Sequence, residues 1–412
     1  MIIQLKYGRR QITFTLPSTA VLPEFKEPEY QISQGSFNDQ LLQYLPSDEA
    51  RYSRVAIVVS DKTRLCGYPE YLPWLTEILL QKGASKEGIT FYIAYGTHPR
   101  QTEDESICSY GEIYREYRFV HHDCKNDSVF TRVGTTRRGT PVTVRQDILR
   151  STLLITFGSI SHHYFAAYGG GRKLLFPGLA SRKAIYQNHG LFLDREKRSL
   201  AAGCQPGNLN GNPLAEDLEE IDTYMPEKIS IHGIMNAEGR VCRLLVGNSY
   251  DGFLEACRVH DSYYRFSGGE LYDLVIASGG GYPKDINFIQ GHKSIHHAAA
   301  FVKDGGTLVV LSECMDRIGS DYFMKYLEAG SFEAAFALLE KNYEGNGGTA
   351  LSMMLKTKRI HIHMLTSLDE AACATLGVTK VNESEIQQII DSEQGRIAVI
   401  RNASILVKQN VP

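Results

Sequence analysis

The chain has 412 residues, of which 43% are apolar and 22% are charged, and its formal net charge is −3. This composition is typical of folded globular proteins and excludes disordered, collagen-like and coiled-coil chains, while the length favours two domains over one. The small net charge argues against binding to nucleic acid or to a membrane surface, and no apolar run approaches the roughly 18 residues of a membrane span.

The cysteines indicate a reducing compartment. Eight of them are scattered along the chain, without CxxC pairs and without the spacing of a zinc finger. Residues 1–16 alternate apolar and polar side chains and lack the continuous apolar core of a signal peptide. We therefore expect buried, reduced thiols and a cytoplasmic protein.

Short β-rich runs alternate with stretches long enough for helices, which is the order found in α/β proteins. An N-terminal hairpin is predicted over residues 1–16. The further predicted strands cover residues 54–61, 89–98, 152–161, 272–281, 307–313, 359–365 and 396–407. The predicted helices include one that begins near 254, one over 292–304 that is stopped by Gly305 and Gly306, and one over 332–343.

These elements predict an α/β protein of two domains, each with a mainly parallel sheet flanked by helices. We place the boundary near residue 262, which gives an N-terminal domain of residues 1–262 and a C-terminal domain of residues 263–412. Apolar runs that end in Gly, Asp or Ser suit buried parallel strands, whose carboxyl ends border a ligand crevice. The active site is expected in the crevice between the domains.

A glycine-rich turn follows the strand predicted over 152–161. Residues 169–171 are all glycine, and Arg172 and Lys173 come directly after them. Such a turn lets a ligand approach the backbone, its amides favour phosphate, and a lysine beside it can serve as a point charge or as a nucleophile. The spacing is neither that of the NTPase phosphate loop nor GxGxxG. For the turn alone, solvated basic side chains are an equally good interpretation.

Three histidines lie close to these segments in the sequence. His98 and His163 follow two predicted strands, and a pair of imidazoles with reference pKa values near ~6.5 suits acid and base on opposite faces of a substrate. Taken singly, each is more often an ordinary hydrogen-bonded histidine. His189, sixteen residues after Lys173, is either a metal ligand or the end of a helix beside Gly190.

Polar side chains also lie at the end of the strand predicted over 54–61. Asp61 offers a hydrogen-bond acceptor, Thr63 a hydroxyl group, and Arg64 a guanidinium group that can bind an anion through two N–H groups. The alternative is a helix N-cap whose charges are solvated, which is the more frequent origin of this pattern.

The predicted second domain has a similar strand end at 278–281, followed by a helix. Gln290 and Lys293 are three residues apart on it and suit a substrate carboxylate. His292 and His296 are four apart, but no acidic residue completes an HExxH pattern, so we interpret them as helix-surface or interdomain histidines.

Together these segments resemble the nickel-dependent lactate racemases and their 2-hydroxyacid racemase and epimerase relatives. The resemblance covers most of the chain. It rests on SDKTR at 60–64, GTH at 96–98, HHYFAAYGGGRK at 162–173 with a histidine sixteen residues after its lysine, and GGYPKDINFIQGHK at 280–293. Each motif alone is weak, but four in this order are specific.

The resemblance implies a role for each residue. The cofactor would be a nickel-pincer nucleotide, a nickel complex of pyridinium-3-thioamide-5-thiocarboxylate mononucleotide, covalently attached at Lys173 with His189 as the metal ligand. His98 and His163 would be the catalytic acid and base. The remaining site residues would be Arg172, Gly170, Gly171, Asp61 and Thr63 around the cofactor and Arg64, Gln290 and Lys293 around the substrate. Cofactor-synthesis proteins would be partners.

The implied reaction inverts C2 of a 2-hydroxy acid by hydride transfer to and from the cofactor, which avoids a carbanion beside a carboxylate. Two departures concern the substrate. Lactate-specific members carry Tyr where this chain has Ile289, and they carry a C-terminal-domain Trp, whereas Trp74 is the one Trp here. We therefore expect a larger or more polar 2-hydroxy acid than lactate, such as an aldonate.

Two other classes of function remain as alternatives. One is an NAD- or zinc-dependent oxidoreductase or hydrolase on a related α/β scaffold, although the sequence lacks both fingerprints. The other is a binding protein that keeps the crevice without its chemistry. It is disfavoured because both histidines, the lysine and the carboxylate-binding pair are present.

Overall fold

The fold is described from a computed structural model, which defines residues 1–409. Its strands, in chain order, are β1 (Ile2–Tyr7), β2 (Arg10–Thr15), β3 (Val55–Ser60), β4 (Ile89–Ala94), β5 (Arg118–His121), β6 (Phe130–Thr135), β7 (Pro141–Arg145), β8 (Leu153–Ser159), β9 (Ser161–His163), β10 (Ala167–Gly169), β11 (Leu193–Asp194), β12 (Ser199–Leu200), β13 (Ile229–Met235), β14 (Val241–Gly247), β15 (Arg265–Phe266), β16 (Tyr272–Ser278), β17 (Val302–Leu311), β18 (His361–Leu365), β19 (Thr379–Lys380), β20 (Ile397–Ile400) and β21 (Val407–Lys408).

Helices connect most of these strands. The α-helices are α1 (Gln34–Leu42), α2 (Tyr68–Gln81), α3 (Glu103–Tyr110), α4 (Ile113–Glu116), α5 (Gln146–Leu149), α6 (Arg182–His189), α7 (Pro213–Asp222), α8 (Tyr250–Tyr264), α9 (Phe288–Ala299), α10 (Met324–Leu327), α11 (Phe332–Lys341), α12 (Gly347–Arg359), α13 (Glu370–Leu376) and α14 (Glu383–Ser392). Short 3-10 helices cover Glu49–Tyr52, Asp127–Val129, Gly171–Leu174 and Gly190–Phe192.

The first large sheet has six strands in the order β14-β13-β8-β3-β4-β5. All neighbours are parallel except β13 and β14, which form an antiparallel edge. Every residue of the central strand β3 is buried, as expected for an apolar strand covered on both faces. Because β3, β4 and β8 are parallel neighbours, their carboxyl ends meet at one edge of the sheet.

The second large sheet has five parallel strands in the order β19-β18-β17-β16-β20. Helix α9 connects β16 to its neighbour β17, and the apolar side of α9 packs into the same hydrophobic cluster as both strands. The α/β fold class with two mainly parallel sheets is therefore confirmed.

The N-terminal hairpin of β1 and β2 packs on the second sheet rather than on the first. Leu5 lies in one hydrophobic cluster with strands β16, β17 and β20. The Gly8 N–H donates a hydrogen bond of 2.8 Å to Asp285, and Val21 forms a β-bridge with Ala398. The prediction assigns these residues to the N-terminal domain, whereas their packing partners belong to the C-terminal half of the chain.

The predicted domain limit and the predicted end of one helix fall within other elements of the structure. The proposed domain limit at 262 falls inside α8, and it stays a prediction. The helix predicted over 292–304 is wrong at its end, because α9 ends at Ala299 and β17 begins at Val302. Gly305, with a φ of +74°, therefore interrupts a strand and does not stop a helix.

Two predicted strands are shorter than expected, since β4 ends at Ala94 and β8 at Ser159. The residues that follow them form loops and a small hairpin at the sheet edge. No helix in residues 1–409 is long and apolar enough to cross a membrane.

The docking of the hairpin can be tested by truncating Leu5, which is buried against the second sheet. We expect Leu5→Ala to lower the free energy of unfolding by about 2–5 kcal/mol, because a buried leucine leaves a cavity when it is shortened. Urea unfolding followed by circular dichroism measures this loss. Thr13→Ala, at an exposed position of β2, is the control and should change stability by less than about 0.5 kcal/mol. Equal effects of the two changes would contradict the packing.

Candidate active site

A cavity lies at the carboxyl ends of β3, β4 and β8. Seven of the site residues predicted from the sequence line it: Asp61, Arg64, His98, His163, Gly170, Lys173 and His189. They come from four separate parts of the chain, which the parallel sheet brings to one edge.

Asp61 and His98 form a carboxylate–histidine pair in this cavity. The His98 Nδ1–H donates to Asp61 Oδ2 at 2.6 Å, and the N–H and hydroxyl of Thr63 donate to Asp61 Oδ1 at 2.9 and 2.6 Å. Burial alone would raise the pKa of Asp61, but His98, Arg64 and Thr63 lower it well below its ordinary value. Asp61 is therefore ionised, and in the neutral form of His98 the lone pair lies on Nε2, because Nδ1 carries the proton that Asp61 accepts.

This geometry rules out a helix N-cap with solvated charges, which was the alternative interpretation of residues 60–64. Asp61 is 3% exposed and its carboxylate is bonded within the loop, whereas helix α2 begins only at Tyr68. Thr63 supports Asp61 and is not among the residues that line the cavity.

His163 lies on the β9–β10 hairpin, which follows β8 directly. The Ala166 N–H donates to His163 Nδ1 at 3.3 Å, so the proton of the neutral ring resides on Nε2. Burial, and then the charges of Lys173 and Arg64, hold the pKa of His163 well below its usual value. The two histidines are thus complementary: His98 offers an acceptor at Nε2 and His163 a donor at Nε2.

The glycine turn places Lys173 in the cavity. A Cβ on Gly170, which has a φ of +75°, would lie 2.1 Å from Ser159 O, and one on Gly171 would lie 2.5 Å from the Phe253 ring. Neither position therefore accepts a side chain. Lys173 follows in a 3-10 helix, and burial, then Arg64 and other cations, lower the pKa of its amine well below the ordinary value. A larger fraction of this amine is therefore uncharged than in a solvent-exposed lysine, and the uncharged form is the nucleophile.

His189 is the last residue of α6, a helix that begins with the Ser181 hydroxyl accepting from the Ala184 N–H. Burial, followed by the charges of Lys173 and Arg64, lowers the pKa of His189 to about 3. Its imidazole is neutral at pH 7 and has a lone pair for a metal ion. A lysine whose uncharged form is favoured and a neutral imidazole lie in one cavity, which suits the attachment of a metal cofactor.

Helix α9 of the second sheet supplies the other predicted pair. Lys293 Nζ donates to Gln290 Oε1 at 2.6 Å. The charge of Lys293 contributes to the lowered pKa values of His163 and Lys173, but neither Lys293 nor Gln290 is among the residues that line the cavity. The second sheet therefore adds a positive charge to the surroundings of the cavity without lining it.

Arg172 is placed differently from the prediction of a cavity residue. Its guanidinium lies 4.6 Å from the centre of the Phe253 ring and donates to Ala215 O at 3.3 Å. It is buried behind the glycine turn and is not among the residues that line the cavity. Its Nε and one Nη have no hydrogen-bond partner among the described residues.

Several cavity residues were not predicted, and the structure selects one of the two interpretations given for His292 and His296. Tyr95 and Ser159 line the cavity, and their positions at the ends of β4 and β8 were the available signal. His292 and His296 pack against Tyr164 of the first half with ring centres 5.4 and 5.5 Å apart. They are interdomain histidines, and His292 is fully buried rather than on the helix surface.

The Asp61–His98 pair predicts a pH-dependent contribution to stability. The folded pKa of Asp61 lies below the unfolded value of about 3.9, so its contribution is present above that value and is lost as pH falls through the folded pKa. We expect Asp61→Asn to cost about 1–3 kcal/mol of unfolding free energy at pH 7 and less below pH ~4.

Urea unfolding across this pH range measures the effect. Asp104→Asn, at an exposed position in the first turn of α3, is the matched control and should cost much less at pH 7. A cost for Asp61→Asn that stays constant from pH 7 to pH 3 would contradict the pairing.

Comparison with known proteins identifies relatives over most of the chain. Residues 7–201 match the lactate racemase N-terminal domain, and residues 269–341 match the lactate racemase C-terminal domain. A lactate racemase of Thermoanaerobacterium thermosaccharolyticum is 27% identical over 344 residues, which cover 79% of this chain and 78% of the relative. A lactate racemase of Lactiplantibacillus plantarum is 30% identical over 278 residues, which cover 65% of this chain and 62% of the relative.

Solved structures show the same fold. The lactate racemase apoprotein from T. thermosaccharolyticum superposes with a TM-score of 0.86 at 22% identity, with 100% of each chain covered. A protein from Thermotoga maritima gives a TM-score of 0.70 at 16% identity, with 93% of this chain and 99% of the other covered.

The two matching domains belong to one family, and they occur here in the order that their names imply. The motifs that carried the resemblance lie within these two matches, and those at 60–64, 96–98 and 162–173 contribute residues to one cavity. The chain therefore belongs to the lactate racemase family and is an isomerase of the racemase type.

Proposed function

We propose that this protein inverts C2 of a 2-hydroxy acid with a nickel-pincer nucleotide attached covalently at Lys173. The observation that carries the proposal is that His98, His163, Lys173 and His189 line one cavity. Two relatives named lactate racemase support the reaction class and a nickel-dependent cofactor. A 2-hydroxy acid is the small-molecule substrate that this class implies.

The residues fit the cofactor in their protonation states. Burial lowers the pKa of the Lys173 amine and so favours its uncharged, nucleophilic form, and His189 offers a neutral imidazole as nickel ligand. The turn at Gly170 and Gly171 exposes backbone without side chains, which suits close approach of a nucleotide. When bound, the cofactor supplies a hydride acceptor, so that the C2 hydrogen leaves without forming a carbanion.

His98 acts as a base on the substrate hydroxyl. Its Nδ1–H is held by Asp61, so Nε2 accepts the hydroxyl proton, and the buried carboxylate stabilises the imidazolium that results. Asp61 is already ionised and stays so, because His98, Arg64 and Thr63 stabilise its charge.

His163 acts on the opposite enantiomer. It starts with its proton on Nε2 and returns a proton to the oxygen when the product forms, while the same ring serves as base in the reverse direction. A racemase needs two such groups because its substrate and product are mirror images at C2. The complementary proton positions of His98 and His163 provide both.

The substrate carboxylate is bound by Arg64, Gln290 and Lys293. Arg64, Lys173 and Lys293 act on one another as like charges, since each lysine has its pKa lowered by burial and then by Arg64. An anion removes this repulsion. A guanidinium fork and an ammonium group also hold a carboxylate in a fixed orientation, which exposes C2 to the two histidines.

The substrate is larger or more polar than lactate. Ile289 stands where the resembling lactate-specific enzymes have Tyr. Trp74, on α2, packs against Phe37 of α1 and Tyr71 of α2 in the hydrophobic cluster of the first sheet, whereas α9 packs in the cluster of the second. On α9, His292 is buried with both ring nitrogens unpartnered among the described residues, which is costly unless a polar group reaches it. A hydroxylated substrate tail supplies such a group.

The cellular setting is part of the same proposal. Attachment of a cofactor at Lys173 requires cofactor-synthesis proteins as partners. The eight cysteines form no disulfide, and seven of them are buried, which supports a cytoplasmic location.

The cofactor proposal predicts a defined chemical change at Lys173. Protein produced together with the cofactor-synthesis machinery should gain the mass of the nucleotide on Lys173 and carry about one nickel ion per chain. Lys173→Arg should lose both. His189→Ala should keep the added mass while binding nickel more weakly, because the tether is intact and one ligand is gone.

Intact-mass spectrometry and elemental analysis provide these readouts. Lys183→Arg, an exposed lysine on the nearby α6, is the matched control and should be loaded like the unsubstituted chain. Unmodified Lys173 without nickel would contradict the proposal. Saturable binding of NAD, or one tightly held zinc ion that His189→Ala removes, would instead favour the alternative oxidoreductase or hydrolase.

The substrate proposal predicts a preference among single-enantiomer 2-hydroxy acids. We expect the loaded enzyme to invert C2 of an aldonate with a kcat/KM at least 10-fold above that for lactate, and chiral chromatography of the products measures it. His292→Leu should lower kcat/KM for the aldonate by about 10-fold, since a lost hydrogen bond is worth about 1–1.5 kcal/mol, and should leave lactate unaffected. Equal or higher activity on lactate would contradict the proposed substrate class.

A further inference from the structure

A second group of metal-binding side chains lies outside the catalytic cavity. It comprises His162 on β9 together with His260 and Asp261 in the last turns of α8. Because neighbouring residues of a strand point to opposite faces, His162 lies across the hairpin from His163. Within residues 1–409 this is the one group of three His, Cys, Asp or Glu residues whose ligand atoms all lie within 4.8 Å of one another.

The spacing of the ligand atoms suits a single ion. Asp261 Oδ1 lies 2.8 Å from His162 Nε2, with which it shares a hydrogen bond that an ion would replace, and 4.0 Å from His260 Nδ1. Atoms bound tetrahedrally at about 2.1 Å from an ion lie about 3.4 Å apart, between these two values. Small rotations of the side chains bring all three atoms to bonding distance.

The surrounding residues already hold the ligands in the required orientation. Tyr168 OH and Arg265 Nε both contact Asp261 Oδ2, at 2.7 and 3.2 Å, which leaves Oδ1 directed at the histidines. On the far side of its ring, His162 Nδ1 faces the carbonyl oxygen of Ile405 at 3.5 Å. Metal-binding histidines commonly donate their second N–H to a carbonyl, and metal-binding carboxylates are themselves hydrogen-bonded.

Without an ion, the hydrogen bonding of this group is incomplete. His260 is 3% exposed, and its Nδ1 has no hydrogen-bond partner among the described residues. Burial, and then the neighbouring His162, lower the pKa of His260 to about 4, so its ring is neutral at pH 7. Leaving a buried polar nitrogen without a partner costs about 1–3 kcal/mol, which a metal bond offsets.

We propose that His162 Nε2, His260 Nδ1 and Asp261 Oδ1 bind a divalent transition-metal ion of the zinc class, with water as the fourth ligand. Two imidazoles and one carboxylate are a ligand set of zinc, whereas magnesium and calcium require oxygen ligands. The site is distinct from the proposed nickel ligand His189 and does not depend on the proposed function.

The ion would join three parts of the fold. His162 fixes the hairpin that carries His163, while His260 and Asp261 fix the end of α8. The adjacent Arg265 belongs to β15, which pairs with β21 near the C-terminus. The site therefore ties the segment that connects the two large sheets to the strand that positions a catalytic histidine.

Zinc binding to the full-length chain tests the proposal. The chain is made without the nickel cofactor, carries His189→Ala so that the catalytic cavity lacks its metal ligand, and is dialysed against zinc chloride before elemental analysis. We expect one zinc ion per chain with a Kd below 1 µM. His260→Gln or Asp261→Asn in this background should weaken binding by about 100-fold or more.

His232→Gln is the matched control, because His232 is equally buried and its ring nitrogens are unpartnered among the described residues, yet it lies outside the group of three. This variant should bind zinc as the background does. Failure of the background to bind zinc would overturn the proposal, as would zinc binding that survives both His260→Gln and Asp261→Asn.

A second measurement avoids any substitution in the proposed site. Zinc X-ray absorption of the loaded background chain should show two imidazoles with oxygen ligands and no sulfur. A sulfur ligand, or fewer than two imidazoles, would overturn the assignment even if the variants fail to fold.

Discussion

The active site depends on the burial of several positive charges around a single ionised carboxylate. Arg64, Lys173 and Lys293 act on one another across the cavity, and Asp61 is already bonded to His98. Burial and mutual repulsion lower the pKa values of both lysines and of His163. The same constraint favours the uncharged form of the Lys173 amine and keeps the imidazole of His163 neutral.

The fold creates this arrangement by joining the ends of parallel strands. The carboxyl ends of β3, β4 and β8 bring Asp61, His98 and His163 to one edge of the first sheet, and α9 brings Lys293 from the second. Between them, Tyr164 packs against His292 and bonds to Thr349 at 2.5 Å. Tyr164, the residue after His163, therefore links the hairpin that carries His163 to helices α9 and α12.

Sequence patterns predict the local elements well, because they depend on nearby residues. The central strands β3 and β8, the turn at Gly170 and the polar strand ends were predicted, and so was the placement of Gln290 and Lys293 on one helix face, whereas the equally buried β13 was not. The glycine requirement is explained by the close approach of Ser159 O, which only the structure gives.

The remaining features depend on contacts between distant residues. The N-terminal hairpin packs on the second sheet through partners more than 250 residues away, such as Asp285 for Gly8. The orientation of Arg172 toward Phe253, and the meeting of His162 with Asp261 across 99 positions, likewise have no local pattern. Alternating polar and apolar residues fix a strand or helix face, but not the surface that it meets.

The proposed chemistry is tested most directly by following the hydrogen on C2. A single enantiomer of the preferred 2-hydroxy acid, deuterated at C2, is incubated with cofactor-loaded enzyme in ordinary water, and the opposite enantiomer is analysed by mass spectrometry. The account predicts that the product retains deuterium, because the hydrogen moves as hydride and does not exchange with solvent, and that His98→Ala and His163→Ala abolish inversion. Loss of deuterium to water, or inversion without both histidines, would contradict it.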